Sequence, residues 1–142
     1  MAIKLGMEAK LYYGRAGSTA NTELNNVKDV TLNLETGEAD VTTRGNQGWR
    51  ATVATLKSGT VEFEMIWDTG NAGFTAIKNA YFNNTPIALA ILDYENGEGL
   101  DADFSITNFS RNEPLEEAIT VSVTAKPTYS TRAPAWVEGS GV

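Results

Sequence analysis

Apolar and polar side chains alternate at single-residue spacing through much of this chain. Across residues 29–68 the apolar positions are Val30, Leu32 and Leu34, then Ala39 and Val41, then Val61, Phe63, Met65 and Trp67. Thr31, Asn33, Glu38, Asp40, Glu62 and Glu64 fall between them. A period of two places one face of a strand in a core and the other in water. The pattern predicts strands over residues 27–34 and 38–43, joined by the turn Glu35-Thr36-Gly37, where glycine is available for a positive φ. The clearest strand is residues 60–67. Residues 85–92 are apolar at almost every position, which predicts a strand buried on both faces. Residues 100–109 and 116–125 form a last pair turned by 110–114, and residues 3–13 form a first strand or an extended arm.

One segment departs from this period. Phe74, Ile77 and Tyr81 recur at i, i+3 and i+7, with Ala76 and Ala80 beside them, which predicts a short amphipathic helix over residues 72–82. Asn71 or Thr69 supplies its N-cap. Residues 14–25 are rich in Gly, Ser, Thr and Asn and read as a flexible loop. Residues 44–58 read as the longest inter-strand loop, with a weak alternation at Trp49, Ala51 and Val53. Residues 131–142 read as a tail that orders only against something else. The expected architecture is all-β with one short α-helix, an antiparallel β-sandwich or flattened barrel, in a single domain over residues 1–142.

Composition narrows the chemistry. The 142 residues hold 11 Lys and Arg against 18 Asp and Glu, a formal net charge of −7, which repels polyanions and disfavours ordinary nucleic-acid binding. There is no cysteine and no histidine. That removes disulfides, thiolate metal sites, and the commonest general base and metal ligand. The start of the chain lacks the apolar core of a signal peptide, and the longest apolar run, residues 87–92, is too short to cross a bilayer. A soluble intracellular domain with a poor catalytic toolkit is expected, with no cofactor, no metal and no catalytic residues.

Three motifs have to be weighed against that expectation. Asp68-Thr69-Gly70 after Met65-Ile66-Trp67 matches the fingerprint of aspartic proteases, whose paired carboxylates share a proton. Asn71 follows where a small residue is needed, a helix follows where a strand and loop belong, and no later apolar-apolar-Gly element completes that fold. A strand-to-helix turn accounts for the triplet better. The acids from Asp93 to Asp103 are numerous, but their glycines and terminal acid miss the EF-hand positions, and a wet hairpin loop explains them. Asn108-Phe109-Ser110 matches a glycosylation acceptor but has no secretory context.

A sheet face lined with carboxylates beside a basic loop suits a wall more than a reaction centre. The succession "TLKSGTVEFEMIWDTGNAGFTAIKNAYFNNTPIALAILD" resembles the central part of phage tail tube proteins, in which a strand ending in an aromatic-Asp turn leads to one short helix and then an apolar strand. "DADFSITNFSRNEPLEEAITVSVTAKPT" is similar to that family's final hairpin. "GMEAKLYYG" and "NNVKDVTLNLETGEADVTTR" are similar to its first strands. The likeness runs over residues 5–130 and rests on strand order and texture.

The resemblance implies a non-enzymatic subunit that forms hexameric rings, stacked into a conduit for the genome. Its partners would be copies of itself, a tape-measure-like length-setting protein, and tube initiator and terminator proteins. DNA would pass through without specific binding. The place would be the virion tail, after synthesis in the host bacterial cytoplasm. Glu38, Asp40, Glu62, Glu64, Asp101 and Asp103 are candidates for an acidic lumen, although each taken singly reads as an ordinary solvated acid. Loop 44–58 carries Arg44, Arg50 and Lys57, three of the 11 basic residues, around Trp49. Tryptophan with arginine is typical of interface anchors, and the family's corresponding loop reaches the adjoining subunit or ring. A tube protein of a contractile injection or secretion system fits the same features. A monomeric all-β binding module also fits, and polymerisation is what separates it.

Overall fold

A computed structural model describes residue 3, residues 5–95 and residues 97–138. Eight strands form one antiparallel sheet that curls into a half-barrel. In chain order they are β1 (Lys10–Arg15), β2 (Thr22–Glu23), β3 (Val27–Asp40), β4 (Thr52–Ile66), β5 (Ile87–Leu92), β6 (Gly99–Asn112), β7 (Thr120–Pro127) and β8 (Ala135–Val137). The order across the sheet is β2-β1-β5-β6-β7-β4-β3, with β8 paired to β6. The single helix, α1 (Ala72–Phe82), covers the concave face.

The core follows the period-two pattern. Val61, Phe63 and Met65 of β4 point inward with Val121, Val123 and Ala125 of β7 and with Ala102, Phe104 and Ile106 of β6. Phe74, Ile77 and Ala80 of α1 close over them. Trp67 meets Phe74 edge-on at 4.8 Å, and the Arg111 guanidinium lies 5.0 Å from the Trp67 ring centre. The helix starts where expected: the Asn71 side chain accepts the Phe74 N–H at 3.0 Å. β5 is buried on both faces, with Ile87 and Leu89 in the main core and Ala88 and Ala90 packed against Ala20 on the convex side.

Several predicted boundaries change. Glu35-Thr36-Gly37 is no turn. β3 passes straight through it, pairing with β4 from Val27–Met65 to Asp40–Thr52, with a register shift between Thr36 and Glu38. Gly37 serves close approach at this bulge: a Cβ there would lie 2.6 Å from Thr55 Oγ1. The second half of the predicted 44–58 loop is therefore strand, since Thr52 to Ser58 belong to β4, which pairs with β3. Both faces of this stretch are exposed, so no core imposes an alternation on its sequence. The first strand begins only at Lys10, after a 3-10 turn at Gly6–Glu8. The 14–25 loop contains β2, which pairs with Tyr12 and Tyr13. From the predicted tail, Ala135–Val137 adds to β6 as β8; residues 139–142 lie outside the described residues.

Candidate functional site

The distal halves of β3 and β4 form an arm that leaves the body beyond Asn33 and Thr60. Its tip is built by local hydrogen bonds. Val41 N–H donates to the Ala51 carbonyl at 3.0 Å, and Ala51 N–H donates to Thr42 Oγ1 at 2.9 Å. Asp40 Oδ1 accepts the Thr42 N–H at 2.9 Å, and hydrogen bonds from Thr42 hold the Asp40 carboxyl below its ordinary range. A 3-10 turn at Arg44–Asn46 follows, and Gln47 and Gly48 reverse the chain at φ 53° and 87°. Trp49 emerges from this turn 78% exposed, with Arg44 and Arg50 on the same tip. Lys57 stands further down the arm opposite Thr36. Leu34, Val53 and Leu56 are also exposed along it. An ordered hairpin with bare apolar groups is a surface that lacks its cover.

The candidate lumen acids separate into three environments. Glu62 and Glu64 lie on the convex face of the body, beside Ser122 and Thr124 of β7 and Thr31 of β3. Asn108 and Ser110 continue this polar face onto β6. Lys28 sits 3.8 Å from Glu64, so the face is not purely acidic. Glu38 and Asp40 lie out on the arm and, seven and nine residues beyond Thr31 on β3, fall on the opposite side by strand period. Asp101 and Asp103 belong to no exposed face. They are 5% and 2% exposed, which corrects their reading as lumen acids.

A chain excursion is what buries them. After β7 the backbone leaves the sheet over residues 128–134 and rejoins it in line as β8. The excursion lays Arg132 over the convex face. Arg132 reaches Asp103 Oδ1 through Nε at 3.0 Å and Nη2 at 2.9 Å, and Asp101 Oδ1 through Nη1 at 3.1 Å. Gly17 N–H donates to Asp103 Oδ2 at 2.8 Å, and Ser130 Oγ donates to the same oxygen. Burial alone would raise the Asp103 carboxyl. The hydrogen bonds from Ser130, Arg132 and Gly17, with the Arg132 charge, outweigh it and hold the group below its ordinary range. Asp101 and Asp103 alternate with core residues, so their period cannot distinguish this burial from solvation. The one available signal was a lone arginine between Thr131 and the small residues Ala133 to Ala135.

The remaining motifs resolve into turns. Asp68 is exposed and accepts the Gly70 N–H at 3.0 Å, shaping the turn into α1. Asp93 Oδ1 accepts the Glu98 N–H at 2.8 Å in the β5–β6 turn. Among the described residues no group of three acidic side chains is placed to hold a metal ion.

Known proteins share this fold. The tail of an empty gene transfer agent particle, refined with C6 symmetry, superposes with a TM-score of 0.76 at 13% identity, covering 94% of this chain and 98% of that one. The SPP1 tail tube gives 0.71 at 16% identity over 96% of this chain and 80% of that one. A chain of the six-fold symmetrised anti-feeding prophage baseplate gives 0.62 at 4% identity over 97% of each. No curated protein sequence matches significantly. A family model of the phage tail tube protein, however, matches residues 9–128, and the chain belongs to that family.

Proposed function

We propose that this tail tube protein assembles head-to-tail into six-membered rings, and that the rings stack into a conduit for DNA. The observation that carries this reading is the pairing of an exposed, ordered arm with a sheet that has one uncovered polar face. The concave face is filled by α1 and the core, so only the convex polar face is free to line a channel. Glu62 and Glu64 lie on it. Carboxylates on such a face repel DNA phosphates instead of neutralising them. β3 ends the sheet with no further strand on its outer side among the described residues, an open edge that a neighbouring copy would cover. Heterologous contacts that close by rotation give rings, and contacts that do not close give filaments.

The role is structural and needs no cofactor. A tape-measure-like protein inside the tube, and initiator and terminator proteins at its ends, are the further partners this reading implies. Synthesis in the bacterial cytoplasm precedes incorporation in the virion tail. Concentrated purified protein examined by negative-stain microscopy and velocity sedimentation should show rings or tubes. A chain that remains monomeric at every concentration and salt condition would instead be a binding module.

A further inference from the structure

A groove of about 760 Å³ opens on the body between β1 and β3. Leu11, Leu24 and Val30 give it an apolar lining. Glu23, Asp29, Asp93 and Glu98 stand around it against Lys10 and Lys28. Both lysines are already engaged, Lys10 by Glu23 at 3.3 Å and Lys28 by Glu64 at 3.8 Å. Asp29 forms no ion pair among the described residues. The groove therefore presents an apolar floor and a net negative rim.

We propose that this groove receives the arm tip of a second copy of the chain. Trp49 supplies a large exposed apolar group for that floor, and Arg44 and Arg50 supply cations for Asp29 and its acidic neighbours. Complementary charge of this kind sets register as well as attraction, and tryptophan and arginine are the residues that dominate interface energetics. The occupant is another copy because the arm cannot reach its own groove. β3 runs from Leu32 on the groove wall directly to Asp40 at the tip, and a strand rises about 3.3 Å per residue, which puts the tip roughly 25 Å away. Each such contact leaves one tip and one groove unused, so it propagates without end. The inference rests on the stacked-ring reading and names the receptor for the arm.

Charge exchange tests it. The tip variant is Arg44→Glu with Arg50→Glu; the groove variant is Glu23→Lys with Asp29→Lys. All four positions are exposed, so each variant should melt close to the parent. Each alone should lose the sedimentable polymer that the parent forms. Mixed in equal amounts, they should recover it, because acidic tips then meet basic grooves and basic tips meet acidic grooves. A groove variant that polymerises like the parent, while the tip variant does not, overturns the groove and leaves the arm as the joint. Two inactive variants that fail to rescue each other also overturn it. A parent that never polymerises overturns the stacked-ring reading itself.

Discussion

Replacing Arg132 with Met removes the only cation that, among the described residues, is paired with two carboxylates that the sheet holds out of water. The Asp103 side chain is 1% exposed and the Asp101 side chain 7%, against 21% for Arg132. Breaking a buried pair from one side costs about 3–5 kcal/mol, because the remaining charge keeps its desolvation penalty. Here the loss is limited from above. The excursion can lift away and let water reach the acids, at the expense of the three β8 ladder positions and the Trp136 Nε1–Glu98 hydrogen bond at 2.6 Å. About 3 kcal/mol is therefore expected near neutral pH, worth roughly 10 °C in melting temperature for a domain of this size. The pH dependence is diagnostic. In the parent the folded Asp103 carboxyl lies below its unfolded value, so its stabilisation is complete above the ordinary carboxylate range and fades as pH falls through the depressed folded value. Without Arg132 burial pushes the same carboxyl upward, and acid then relieves the variant. The stability gap, measured by urea denaturation, should narrow from pH 7 to pH 4. Hydrogen exchange should show residues 128–137 newly unprotected in Arg132→Met. Equal stability of parent and variant at pH 7, or a gap that widens in acid, would refute the clamp.

Changing Glu62 and Glu64 together to Lys should permit tubes but slow genome ejection from particles that carry them; normal ejection removes this face from the channel. Asn71→Ala should cost about 1 kcal/mol through loss of the helix cap, read as a shift in urea midpoint at unchanged slope. Gly99→Ala should be far worse than a surface change, since the new Cβ would lie 1.6 Å from the Ile91 carbonyl oxygen, and neither partner is a movable side chain. A melting temperature within a few degrees of the parent would show that the β5–β6 contact yields.

What was legible in the sequence followed from one-sided burial. Val61, Phe63 and Met65 alternate with polar residues because one side of β4 is core and the other is wet. Phe74 and Ile77 announced α1 because a helix covers the same core at a different period. The arm was unreadable for the converse reason. Thr52 to Ser58 have both faces exposed, so apolar and polar residues occur there without order, and Gly37 looked like a turn when it marks a bulge. Asp101 and Asp103 misled because their cover comes from an arginine 29 residues beyond Asp103 and a loop 86 residues before it. Alternation records that a face differs from the core, and says nothing of what later lies on top of it. The family resemblance survived these local errors because it depends on the order of elements, which the match over residues 9–128 bears out.

The carboxylate of Asp103 also sets a sequence of events in time. It gathers Gly17 from the β1–β2 loop and Ser130 and Arg132 from after β7, so this knot cannot be tied until both distant segments are present. Contacts of such separation are reached late, once nearer pairings have shortened the effective loops. During synthesis the ribosome releases Arg132 after every body strand, and until then the convex side carries two bare acids beside the thin alanine strip of Ala88 and Ala90. A half-made subunit is thus marked on the outside by an unfinished surface, and only a chain that has delivered Arg132 presents a closed face to its neighbours.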